Sequence, residues 1–273
     1  MASALSHRRW LRLGGWGALT LVLAATSGCR HHRTQTQMSP PDIMPPAEEG
    51  RPAPENYPSG RRAGSLGPIA PTPLPPGGVS QEDLEFVATH KPFLTEYGEA
   101  AWYTAPYKGR RAANGQVFDD NAMATAHRTL PMGSLVEVTN VKTGQSAVMR
   151  VADRGPFTPG RIVDLTKAAA RATGVYWAGL AQVRLDVYRT PKPVETGGRW
   201  CVQIGGFKKA RNAEDLKQQL LRQYPTARVI TFPGMENNFW VRIRPEGDSR
   251  ALAEFIAGHM NPTEGAAFLT RMD

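Results

Sequence analysis

The chain reads as mainly β with an α+β end: a small closed barrel of about six strands, then a β-α-β-β-α-β unit. Three observations predict this. Residues 94–190 carry short apolar or alternating runs separated by glycine- and proline-containing turns, with one alanine-rich helical run among them. Residues 199–273 alternate strand-like and helix-like patterns in an order that gives a four-stranded antiparallel sheet with helices on one face. Residues 30–93 are rich in Pro, Gly, Ser and charge, a composition that buries too little apolar surface to fold.

Taken in order, residues 1–29 resemble an export leader. His7, Arg8, Arg9 and Arg12 make a basic start, and residues 13–25 form an apolar run too short to span a bilayer comfortably. Thr26-Ser27-Gly28-Cys29 resembles the bacterial lipoprotein cleavage box, with Thr26 where leucine usually stands. That resemblance implies a lipidated Cys29 and a membrane anchor; ordinary signal cleavage with an incidental cysteine is the other reading. Cys201, the second of two cysteines, falls in a predicted strand, so no structural disulfide is expected. The stretch 30–93 is read as a disordered linker, in which Pro45-Pro46, Pro71, Pro73, Pro75 and Pro76 block helix and sheet alike. At ~3.1 Å per residue in the polyproline form it could reach on the order of 100 Å. Near its end, residues 81–90 suit a short helix with Ser80 as cap and Asp83 in the first turn.

In the barrel, residues 98–103 make an apolar, aromatic strand, and Asn114-Gly115 marks a turn. Leu135–Asn140 and residues 146–152 make a hairpin around Lys142-Thr143-Gly144. A strand is expected at Arg161–Leu165, a helix over 166–173 capped by Thr166 and ended by Gly174, and a last strand over 181–188. The hairpin's second strand stops at Asp153-Arg154-Gly155-Pro156, which places Asp153 at a strand end on a rigid support. His127 lies just upstream. By spacing alone, Asp153 is either a turn-capping aspartate or an accessible acid, and His127 either a structural or a site histidine.

The ordered pieces Gly98 to Tyr103, Ala113-Asn114-Gly115, Ala126-His127, Thr129-Leu130-Pro131, Val138-Thr139-Asn140, Asp153-Arg154-Gly155-Pro156-Phe157 and Arg161-Ile162-Val163-Asp164-Leu165 resemble the rare lipoprotein A family. The resemblance implies a double-psi β-barrel related to barwin and expansin. It also implies a lytic transglycosylase that cuts peptidoglycan strands stripped of stem peptides. Such an enzyme needs one carboxylic acid. The acid protonates the glycosidic oxygen, then removes the proton of the muramyl primary hydroxyl, which closes on the anomeric carbon. Hydrolysis by two carboxylates differs in activating water or forming a glycosyl intermediate. The family pattern places the acid on Asp153 and an active-site histidine on His127, and implies Asn114 and Arg154 in substrate binding. Gln116 stands where the family carries a second active-site glutamate. Without that charge, like-charge repulsion no longer holds Asp153 protonated, so Gln116→Glu is expected to raise the rate at neutral pH. Asp119 and Asp120 are nearby in sequence as alternatives. A barrel that holds glycan without cutting it is the rival reading.

After a linker over 191–198, strands are expected at 200–204, 227–232, 239–244 and 265–271. Helices are expected over 210–224 and Arg250–His259, with Asp248 capping the second. Gly205-Gly206-Phe207 and Asn237-Asn238 read as turns. Val202-Gln203-Ile204-Gly205-Gly206-Phe207 and Phe239-Trp240-Val241-Arg242-Ile243 resemble the sporulation-related repeat (SPOR), which implies binding of denuded peptidoglycan at division septa. Strand alternation sends Val202, Ile204, Val241 and Ile243 toward the helices, and leaves Cys201, Gln203, Trp240 and Arg242 on an open face as a sugar platform. The net charge of +9 favours anionic partners or serves solubility. An RNA-binding sheet is the other basic reading, but its aromatic motifs are missing and the leader argues against it, so no nucleic acid is expected. The six histidines are scattered, so no metal or other cofactor is expected. A monomer in the bacterial cell envelope, periplasmic and septal, completes the expectation.

Overall fold

A computed structural model describes residues 74–103, 109–232 and 239–273. The leader with Cys29, the proline-rich stretch before residue 74 and the Asn237-Asn238 turn lie outside them. Helix α1 (Gln81–Thr89) opens on a capping box: Asp83 N donates to Ser80 Oγ at 3.2 Å, and Ser80 N donates to the Asp83 carboxylate at 3.0 Å. Residues 74–93, the last part of the stretch read as linker, are therefore structured and docked on the barrel. Leu74 N donates to Gln116 Oε1 at 3.0 Å, Met123 N donates to Gly77 O at 2.7 Å, and Asp83 is clamped by Arg150 and Arg189. Proline content hid this, because the docking uses main-chain groups rather than an apolar pattern. Gly78, at φ 93°, passes so close to the Met123 backbone that any side chain would collide.

Six strands follow: β1 (Leu94–Trp102), β2 (Ala124–His127), β3 (Leu135–Asn140), β4 (Ser146–Asp153), β5 (Arg161–Leu165) and β6 (Leu180–Arg189). They close into a barrel in the order β1-β5-β2-β4-β3-β6, with β6 returning to β1. β1–β5 and β2–β4 are parallel, and the other pairings antiparallel. The β3–β4 turn forms as expected: Asn140 Oδ1 accepts from Lys142 N and Thr143 N, and Gly144 takes φ 73°. Val136, Val138, Met149, Val151, Val163, Leu165, Val183 and Leu185 are fully buried inside, each such side chain contributing roughly 1.5–3 kcal/mol. Helix α2 (Lys167–Ala172) is capped by Thr166, whose Oγ1 accepts from Ala169 N. Gly174 then starts a one-turn helix, α3 (Val175–Ala178), that the sequence reading did not separate. Ala169, Ala170 and Val175 join the barrel core.

The second unit contains β7 (Trp200–Phe207), α4 (Ala210–Leu220), β8 (Arg228–Thr231), β9 (Phe239–Ile243), α5 (Arg250–His259) and β10 (Ala266–Arg271). Its sheet runs β10-β7-β9-β8, all antiparallel. Three local expectations change. β7 continues through Gly205-Gly206 on a register shift instead of turning there. α4 stops at Leu220. Ser249, not Asp248, caps α5 by accepting from Leu252 N; Asp248 sits at φ 53° and binds Arg244. Val202, Ile204, Val241 and Ile243 pack against Ala213, Leu220, Ala253 and Ile256, as alternation requires.

The opposite face of this sheet is not open, which corrects the sugar-platform expectation. Trp240 is 3% exposed and Gln203 0%. Phe157, on the barrel loop after β4, lies 5.4 Å from Trp240, 5.9 Å from Phe268 and 5.8 Å from Phe232 between ring centres. Arg271 N donates to Arg128 O at 2.9 Å. Strand parity tells which side a residue faces, not whether another layer covers that side.

Candidate active site

β4 delivers Asp153 to the barrel wall, and Gly155, at φ 138°, turns the chain away behind it. Asp153 lines a cavity of about 640 Å³ between the barrel and the second sheet. Its Oδ1 accepts from Ala113 N at 2.9 Å and Arg154 N at 2.8 Å. Burial pushes this carboxyl above the usual range, against those two main-chain bonds and the Arg154 charge. Asp153 is thus tied to its turn and lines a cavity.

A second carboxyl shares that cavity. Asp164 lies on β5, within the Arg161-to-Leu165 motif. Ala126 on β2 is the register partner of both Asp153 and Asp164, and all three line the cavity. Burial pushes Asp164 up to about 6, with Asp153 adding to the rise and Arg161 and Arg128 opposing it. The sequence signal was parity on β5. Val163 and Leu165 fill the core, so Asp164 must face the other way, beside the neighbouring strands' outward residues.

His127 is placed differently from the expectation. It is buried; its Nδ1 accepts from Thr129 N at 3.2 Å and Leu130 N at 3.0 Å, and its Nε2 pairs with Glu96 Oε2 at 3.3 Å. Two amide donors on Nδ1 leave the proton on Nε2, which donates to Glu96. Burial lowers the imidazole pKa and keeps it neutral. The physical reason is parity again: Ala126 faces the cavity, so its neighbour His127 does not. What His127 gives the site is its carbonyl, which accepts from Arg154 Nη1 at 3.0 Å.

Gln116 and Asn114 also lie elsewhere. Asn114 Oδ1 accepts from Gln116 N at 3.0 Å and Asn114 Nδ2 donates to Gln116 Oε1 at 2.7 Å, closing an Asx turn. Both border a separate cavity of about 270 Å³ that does not include Asp153. Their role here is to shape the loop that presents Ala113 N to Asp153.

Arg154 is held by His127 O, Leu130 O at 2.7 Å and Asp273 O at 2.7 Å. Burial, with Arg271 nearby, brings its pKa down to about 10. From the sheet side Gln203, Trp240 and Arg242 line the same cavity, and Arg242 Nη2 donates to Gln203 Oε1 at 3.1 Å. Around it, Nε of Arg154, Arg161 and Arg242, Nε2 of Gln203 and Nε1 of Trp240 are buried without a hydrogen-bond partner among the described residues. Two carboxyls facing a wall of idle donors suit acid–base chemistry on a ligand rich in hydroxyl or carboxylate oxygen.

The fold and this site define a class: a double-psi β-barrel carrying a carboxyl-lined cavity, followed by a SPOR domain. Residues 95–185 match the family model described as lytic transglycolase, and residues 196–259 match the SPOR domain. A Campylobacter jejuni protein named endolytic peptidoglycan transglycosylase RlpA is 30% identical over 197 residues, covering 60% of this chain and 72% of the relative. A Vibrio cholerae protein of the same name is 48% identical over 102 residues, covering 37% of this chain and 39% of the relative. A Synechocystis protein named probable endolytic peptidoglycan transglycosylase RlpA is 53% identical over 90 residues, covering 33% and 28%. The chain belongs to the RlpA family. Its matches to the Synechocystis and Vibrio relatives span less than two fifths of those proteins' own length.

Proposed function

We propose that the protein is an endolytic lytic transglycosylase. It cuts peptidoglycan glycan strands that lack stem peptides and leaves anhydro-muramyl ends. The observation that carries this reading is Asp153, a carboxyl raised by burial at the wall of a 640 Å³ cavity lined with idle donors. A carboxyl there supplies a proton as the C1–O4 bond breaks. A carboxylate then accepts the proton of O6 as it closes on C1, so no water is consumed. Arg154, Gln203, Trp240 and Arg242 offer donors to sugar oxygens from both walls, and a strand without stem peptides presents free lactyl carboxylates to the arginines. His127, Asn114 and Gln116 hold the loops around the acid. The SPOR domain directs the enzyme to denuded, septal peptidoglycan, and lipid on Cys29 tethers the protein to a membrane of the cell envelope as a monomer.

Purified protein lacking residues 1–29 should release anhydro-muramyl fragments from denuded glycan, detected by mass spectrometry, and Asp153→Asn should abolish the release. If wild type releases nothing across pH ~4–8, a range that spans both carboxyls, the chain is a non-catalytic wall-binding protein. That second reading is favoured by Gln116 in place of a glutamate and by the sheet roofing the cavity.

A further inference from the structure

We propose that Asp164 is a second catalytic carboxyl of this site and donates the proton to the departing glycosidic oxygen, while Asp153 serves as the base. The proposal rests on the transglycosylase reading above and divides between two side chains the work given there to one.

Sheet register carries the argument. Ala126 is paired with Asp153 across one strand boundary and with Asp164 across the other. A register shift between Thr125 and Ala126 advances β4 by one residue, which brings Asp153 out of the parity of core residue Val151 and onto the cavity side with Ala126 and Asp164. Adjacent strands lie about 4.8 Å apart, so the two aspartate Cα atoms are roughly 10 Å apart. In the register Ala126 stands between them. The wall therefore has a shallow floor flanked by two carboxyls, open to one cavity. A sugar lying over Ala126 has one carboxyl on each side.

The two groups are held in different ways. Asp153 Oδ1 takes two main-chain N–H bonds, which favour its ionised form. Asp164 Oδ1 is buried without a hydrogen bond among the described residues, and Arg161 Nη1 stands off at 3.4 Å. A carboxylate oxygen without hydrogen bonds is costly to bury, and protonation relieves that cost. The charged groups facing Asp164 are Arg161 on its own strand, Arg128 after β2, and Asp153 on β4. Arg154 beside Asp153 and Arg242 and Arg271 on the sheet line the same cavity, and β1 opposes Asp164 with Ala101. Within that field Asp164 rises to about 6, with the Asp153 charge among the causes, and the two main-chain N–H bonds on Asp153 against none on Asp164 Oδ1 put the pair's one proton on Asp164.

The step balances. C1–O4 breaks, its electron pair stays on O4, and O4 takes the Asp164 proton. O6 bonds to C1 and its proton passes to the Asp153 carboxylate. The products are a 1,6-anhydro sugar and a free 4-hydroxyl, and solvent returns the proton from Asp153 to Asp164.

The test compares two substrates with the protein lacking residues 1–29: denuded glycan, and a muramyl glycoside whose 4-nitrophenolate departs without protonation. Asp164→Asn should lose about 100-fold or more on glycan yet stay within about tenfold on the nitrophenyl glycoside, the signature of a missing acid. Asp153→Asn should lose both activities. Wild-type kcat/KM should fall above pH ~6 on glycan and not on the nitrophenyl glycoside. An Asp164→Asn protein as active as wild type on glycan, or equally impaired on both substrates, overturns the assignment. Should that variant fail to fold, identical wild-type pH profiles on the two substrates overturn it instead. A wild type active on glycan keeps the transglycosylase reading even when Asp164 fails; a wild type inert on both substrates sinks both.

Discussion

Two groups of buried charge sit on the same barrel and are built in opposite ways. At the α1 end, Asp83 is 1% exposed and both its oxygens are used: Ser80 N at 3.0 Å, Arg150 Nε at 3.0 Å and Arg189 Nη2 at 2.8 Å are among its donors. Burial alone would raise this carboxyl, and the Ser80 and Arg150 bonds outweigh burial and hold it below its ordinary value. In the cavity, Asp164 keeps one oxygen without a hydrogen bond and three arginine Nε atoms have none among the described residues. Complete pairing fixes a structure; incomplete pairing costs stability and persists where a ligand supplies the partners. The first group is a clamp, and the second has the make-up of the proposed site.

The comparison breaks most visibly at the clamp. Asp83→Asn leaves Arg150 and Arg189 against a neutral group, and should destabilise the fold by about 3–5 kcal/mol. The folded carboxyl titrates below the ordinary 3.8, so its contribution is present above about pH 4 and is lost as pH falls through the folded value. Thermal melts of wild type and variant should therefore converge in acid. Coincident melts at pH ~7, where Asp83 is fully ionised, would show the clamp to be dispensable.

Asp164→Asn should act with the opposite sign. Asp164 titrates near 6 when folded and near 3.8 when unfolded, so between those values the folded state binds more protons and stability falls as pH rises. Its ionisation is a standing cost above pH ~6, which asparagine removes, gaining about 1–2 kcal/mol. That figure is set below the full shift because the side chain is 17% exposed. The gain should vanish below pH ~4 in urea melts. A variant less stable than wild type at neutral pH would mean the carboxylate is paired after all.

The same contrast explains how much could be read from the sequence. Alternation gave the strands, and Thr166, Ser80 and Gly144 gave caps and turns, because those depend on neighbours within a few residues. Asp153 was legible from the Asp-Arg-Gly-Pro break. Asp164 was not, since its partnership with Asp153 runs through Ala126 and three strands drawn from distant parts of the chain. The docking of α1 and the burial of Trp240 were hidden for a related reason. Each needs a second layer whose contact, through Arg150 or Phe157, has no local pattern.

Gln116→Glu gives the finest discrimination. Sequence reasoning expects it to restore a lost active-site charge and raise the rate at neutral pH. In the folded chain Gln116 Oε1 accepts from Leu74 N at 3.0 Å and Asn114 Nδ2 at 2.7 Å, bonds a glutamate oxygen can accept equally. The new charge would enter the 270 Å³ cavity behind the loop, not the one Asp153 and Asp164 share. Its effect on either carboxyl then passes through a loop, and stability should change by no more than about 0.5 kcal/mol. Anhydro-muramyl release at pH ~7 should stay within about twofold of wild type, with an unchanged pH profile. A rise of about tenfold, one full unit of added protonation of the acid, with the profile moved toward alkaline pH, would mean that the 112–118 loop swings its glutamate into the main cavity. The acid's second carboxyl would then be the one on the loop, and Asp164 only its neighbour.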